Sequence, residues 1–139
     1  MIEYKQLYLH KPQEGSWGDC FRACIASILD FEHVADVPHV YDKGASAEEA
    51  TEHLNKLLAR GNLVYVEIPL AATADQLRVY LKRYYKNIHV IIGCSSKHGN
   101  HSVVMKNDDY MWDPSIDNSG CVGPMDDGYY WIGNILLKV

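Results

Sequence analysis

The sequence predicts an α+β protein. Helical patterning is confined to the first two thirds of the chain, short β-type stretches fill the last third, and a glycine-rich lead-in opens an apolar helix near the N-terminus. Helices first and antiparallel strands afterwards imply a sheet packed on a buried N-terminal helix. With 139 residues, 47% of them hydrophobic, the chain suffices for one compact domain spanning residues 1–139.

The first helix is expected over Cys20 to Leu29, where Phe21, Cys24, Ile25, Ile28 and Leu29 recur at the spacing of one helix face. Asp30 to Tyr41 holds Pro38 among mixed polarity and reads as a short helix or turn leading into a loop that ends at Gly44. Ser46 and Glu49 form a capping-box pair ahead of Leu54, Leu57 and Leu58, and Gly61 ends that second helix. A strand follows from Leu63 to Ile68, closed by Pro69. Thr73 and Gln76 supply another capping box for a third helix, about Ala74 to Tyr85, with Leu77, Tyr80, Leu81 and Tyr84 as its stripe. Strands are then expected at Ile88 to Cys94, His101 to Lys106, Tyr110 to Asp113 and Tyr129 to Leu137, with Asn107-Asp108-Asp109 as a tight turn.

Charge and composition narrow the function classes. Eighteen acidic side chains stand against thirteen basic ones, a net charge of −5, and no dense Lys/Arg run appears, which argues against nonspecific attraction to nucleic acid or to an anionic membrane. Met1 to Lys11 lacks the apolar run of a signal peptide, and no membrane-spanning stretch follows. Cys20, Cys24, Cys94 and Cys121 match no dense disulfide framework, so a reducing, cytoplasmic compartment is expected.

The chemistry centres on Cys20, at the start of the first helix. Unpaired N–H groups there carry roughly half a positive charge and favour thiolate over thiol, and Gly15, Ser16 and Gly18 let backbone approach a ligand. Cys24, one turn deeper on the apolar face, has no such opening. His101 can supply the base. Asp113 follows twelve residues later, and a hairpin through Asn107 would set the two side by side, so the carboxylate can hold the imidazole in its working tautomer. Two other readings use overlapping residues. Cys20, Cys24, His98 and His101 crudely imitate a Cys2His2 zinc set, but the cysteine pair falls on a helix face that must also be core. Aromatic clusters such as Tyr129-Tyr130-Trp131 suit a binding surface, although they equally suit a sheet core.

The segment Gln13-Glu14-Gly15-Ser16-Trp17-Gly18-Asp19-Cys20-Phe21, then His101-Ser102-Val103-Val104 and Trp112-Asp113-Pro114, resembles papain-like cysteine peptidases, in particular small bacterial and phage members similar to bacteriocin-leader peptidases. The resemblance implies a papain-like fold with Cys20 as nucleophile, His101 as general base and acid, Asp113 as orienter, and Gln13, seven residues before the cysteine, as the side-chain oxyanion donor. The implied reaction is hydrolysis of a peptide, isopeptide or amide bond in a protein or peptide substrate through a thioester, with no cofactor and no metal. The alternative is a papain-like scaffold that binds a protein or small molecule without turnover.

Overall fold

The computed structural model describes residues 1–107 and 110–138. It has three α-helices, α1 (Cys20–Ile28), α2 (Ala47–Leu58) and α3 (Ala74–Tyr84), and five strands, β1 (Leu63–Leu70), β2 (His89–Ser96), β3 (Gly99–Lys106), β4 (Tyr110–Trp112) and β5 (Tyr130–Leu137). The strands form one antiparallel sheet in the order β1-β5-β2-β3-β4. The α+β class therefore holds.

The expected helices form for the expected reasons. Ser46 Oγ accepts from Glu49 N at 3.1 Å and Thr73 Oγ1 from Gln76 N at 3.2 Å, and in each case the side chain of the third helical residue reaches back to the cap N–H, so both boxes close. Between α1 and α2 the chain makes two short 3-10 turns, at Val34–Asp36 and Asp42–Gly44. The proposed turn residues Asp108 and Asp109 lie outside the described residues.

Two boundaries differ from the sequence reading, each with a physical cause. Pro69 does not end β1, which continues to Leu70 with Pro69 opposite Trp131. Because β1 is an edge strand, the missing proline N–H can face away from the ladder. The β2–β3 hairpin is also longer, pairing Ser96 with Gly99 around Lys97-His98, so His101 lies inside β3 opposite Cys94 instead of opening it.

Two apolar clusters flank the sheet. Phe21, Cys24 and Ile25 of α1 and Leu54 and Leu58 of α2 pack with Tyr65, Ile91 and Val104, whereas Leu77 and Leu81 of α3 pack with Val90, Ile92, Val103, Met105 and Ile132. Neighbouring residues of β2 and β3 thus serve opposite clusters, as the two-residue period of a strand requires. Seven consecutive residues of α1, Phe21 to Ser27, are buried. That burial fixes the helix axis and hence the place of its first residue, Cys20.

Candidate active site

Cys20, half-buried, is the first residue of α1, and the residue before it organises the surroundings. Asp19 occupies the N-cap position, but its side chain caps nothing in the helix. Instead Asp19 Oδ1 accepts the N–H groups of Leu7 and Tyr8 at 2.9 and 2.8 Å, and Oδ2 accepts Arg22 Nε and Nη2 at 3.1 and 2.8 Å. Asp19 and Arg22 are both buried, an arrangement tolerated because pairing and backbone donors together satisfy the carboxylate. With its cap turned away, α1 presents its first N–H groups to whatever occupies the space in front of Cys20.

His101 Nε2 lies 2.7 Å from Asp113 Oδ1, which leaves Nδ1 as the ring atom available to Cys20. Burial disfavours the imidazolium, yet hydrogen bonding and charge attraction to Cys20, followed by the same interactions with Asp113, outweigh it and push the His101 pKa up to about 9. The three side chains that the sequence singled out are thus brought together.

Asp113 sits just past the end of β4 in a nest of donors. Besides His101, its Oδ1 accepts Ser115 N at 2.9 Å, and its Oδ2 accepts Ser115 Oγ and Gly120 N, both at 2.7 Å. Burial works against the carboxylate, but these hydrogen bonds, His101 first among them, hold its pKa below the ordinary aspartate value. The loop itself is pinned from the N-terminus: Lys5 Nζ donates to the carbonyls of Asp113 and Ser115 at 3.0 and 2.8 Å, and Gln6 N donates to Pro114 O at 2.8 Å. Residues 5–8 therefore tie the carboxylate loop to the Asp19 carboxylate beside the thiol.

Gln13 is placed elsewhere. It lies on the 3-10 turn Pro12–Glu14 at the tip of a small excursion closed by Lys11 and Ser16, exposed and outside the cavity that Cys20 and His101 share. The geometric reason is that the two ends of the excursion, Lys11 and Ser16, are hydrogen-bonded to each other, which leaves Gln13 at an exposed tip. Gln6, by contrast, is buried and lines that cavity, with its Nε2 donating to Tyr8 O at 2.6 Å and a second amide hydrogen left over. Neither Gln6 nor the organising role of Asp19 emerges from the sequence reading; the available signal was that two glutamines precede the cysteine and that a charged residue adjoins it.

The zinc-like set does not assemble: Cys24 is completely buried, and His98 Nε2 turns to Asp117 Oδ2 at 2.5 Å. Among the described residues no group of three or more His, Cys, Asp or Glu side chains is disposed to hold a metal ion, and no helix is long and apolar enough to cross a membrane. Cys94 and Cys121 adjoin one another, and the hydrogen bond from Cys94 draws the Cys121 thiol down to about 7.

The cavity in front of Cys20 measures about 700 Å³, within the range of small-molecule and peptide-side-chain sites. Gly18 forms part of its wall, and a Cβ there would fall 2.8 Å from His10 Cβ, so the lead-in needs glycine for close approach rather than for flexibility alone. Compared with known proteins, the chain matches no family model, no curated protein and no solved structure.

Proposed function

We propose that this protein is a cysteine hydrolase of papain-like type, acting on a peptide, isopeptide or amide bond. The observation that carries the reading is a buried imidazole engaged on one side by Asp113 and on the other by a cysteine at an uncapped helix N-terminus, with the imidazole and the thiol lining one cavity. That is the nucleophile, base and orienter relation which hydrolysis through a covalent intermediate requires.

In the proposed cycle the proton shared by Cys20 Sγ and His101 Nδ1 rests on the imidazole as the sulfur adds to the substrate carbonyl carbon. The resulting oxyanion is met by the Cys20 backbone N–H and by the free amide hydrogen of Gln6, which replaces Gln13 in this role because it is the glutamine on the cavity wall. His101 then returns the proton to the leaving nitrogen as the C–N bond breaks, leaving a thioester. Water, deprotonated by His101, attacks the thioester carbonyl, the acid departs and Cys20 recovers its proton.

Site-resolved labelling tests the reading. Iodoacetamide near pH 6 is expected to alkylate Cys20 well ahead of Cys121, with Cys24 and Cys94 protected by burial, and His101→Ala is expected to remove that lead. Labelling of Cys20 no faster than Cys121 would overturn it and leave the binding-module alternative. Once a turnover assay exists, Gln6→Ala is expected to lower kcat on the order of a hundredfold and Gln13→Ala by less than about twofold.

A further inference from the structure

Resting on that hydrolase reading, we infer that the substrate carries a cationic group, a primary ammonium or a guanidinium, that docks on Glu67 within the same cavity. Glu67 projects from β1 into the cavity wall, half-buried, beside Tyr65 and Tyr41. Its Oε2 accepts the Tyr65 hydroxyl at 2.8 Å, and the salt bridges among the described residues give it no cationic partner. A carboxylate partly withdrawn from water against aromatic rings, and supported by one neutral donor, is matched best by a cation, which gains both the charge and the ring faces.

The carboxylate is also held in place. Tyr65 lies flat across Gly133 of β5: a Cβ at that position would fall 2.7 Å from Tyr65 Cε2 and overlap the hydroxyl. Only glycine there lets the ring settle on the sheet and aim its hydroxyl at Glu67. Phe21, the residue after the nucleophile, stands edge-on to both tyrosines, with ring centroids 5.3 Å from Tyr41 and 5.4 Å from Tyr65, so this wall adjoins the first turn of α1. Burial pushes the Tyr41 hydroxyl up to about 12, with the charges of Glu67 and Cys20 adding to it, which puts carboxylate and thiol within electrostatic reach of one phenol.

The His101 imidazolium of the same cavity is held by Asp113 and Cys20, and no ion pair among the described residues joins it to Glu67. Asp126 and Asp127, which line the same cavity, are held by neutral donors, Asn100 Nδ2 at 3.2 Å and Trp131 Nε1 at 2.8 Å, while Lys11 is engaged by Glu14 at 3.8 Å. The wall around Glu67 therefore favours positively charged ligands.

The test uses the full-length protein and two methanethiosulfonates of similar size, the cationic 2-(trimethylammonium)ethyl and the anionic 2-sulfonatoethyl reagents, with Cys20 modification followed by peptide mass spectrometry. The cationic reagent is expected to react on the order of tenfold faster than the anionic one, and the ratio to fall at least about threefold in Glu67→Gln, whose amide can still accept from Tyr65. Taking the ratio cancels any change in thiol reactivity. Asp75→Asn, which removes the same charge from the exposed start of α3, is expected to leave the ratio in place. An unchanged ratio in Glu67→Gln, or an equal fall in Asp75→Asn, would overturn the assignment. In the unaltered protein, n-butylammonium is expected to slow iodoacetamide labelling of Cys20 where butyramide does not; equal effects would count against it even if Glu67→Gln failed to fold. Slow Cys20 labelling with a normal charge preference would instead strike the hydrolase reading and leave the cation site standing.

Discussion

Two histidines three residues apart on the β2–β3 hairpin, His98 and His101, each meet an aspartate from the segment after β4. The His98–Asp117 contact is the shorter, 2.5 Å against 2.7 Å for His101–Asp113. Length misleads here. The His98 and Asp117 side chains are 47% and 34% exposed, whereas those of His101 and Asp113 are 6% and 11% exposed. In the outer pair water competes for every charge, and Lys97 shares Asp117 at 3.4 Å. In the inner pair each remaining lone pair of the carboxylate is given a protein donor, and the imidazole meets Cys20 on its other edge. Burial and connectivity make a histidine chemically useful; a short ion contact alone does not.

The sharpest way to break this comparison is to remove the rings in turn. His101→Ala is expected to depress Cys20 reactivity or turnover by about a thousandfold, within the range for loss of a general base, while His98→Ala changes it by less than about threefold. Similar losses in the two variants, measured by site-resolved labelling, would erase the distinction. Next in size is the effect of the carboxylates on titration. In an NMR titration the His101 ring should lose its proton about pH 9, and Asp113→Asn should lower that midpoint by about one unit or more, because it removes an interaction that favours the cation. Asp117→Asn should leave the His101 midpoint where it is.

A smaller effect falls on stability. The folded pKa of His101 is raised above its ordinary value, so its contribution is complete below about 6.5, the unfolded value, and is lost as pH rises through about 9. For Asp113, whose folded pKa is depressed, the contribution is present above the unfolded aspartate value and is lost on acidification. Denaturant midpoints of the wild type should thus decline between neutral pH and about pH 9, and His101→Gln should flatten that decline. An unaltered slope would show that the buried pair is not what couples stability to pH in this range.

The same contrast explains what could be read in advance. Helices α2 and α3 were legible because Ser46 with Glu49 and Thr73 with Gln76 satisfy their first N–H groups locally, within four residues. The pairing of His101 with Asp113 was legible because a hairpin links them through twelve residues. Gln6 was not, since its place depends on Asp19 reaching back to Leu7 and Tyr8 and on Pro114 receiving its N–H, contacts that span from eleven to more than a hundred positions. Gln13 was singled out by the papain-like resemblance alone, and at the tip of the Lys11–Ser16 closure it is exposed and outside the cavity.

By itself, then, the sequence determined the α+β class, the three helices, the caps of α2 and α3, the strands to within a few residues and the pairing of His101 with Asp113, because each is written in a period, a local cap or a single hairpin. Only the tertiary structure decided which glutamine faces the thiol, which of two histidines is withdrawn from water, and that Glu67 shares the cavity with Cys20. Those outcomes depend on burial and on hydrogen bonds between distant segments, and such energies exist only once the chain has closed on itself.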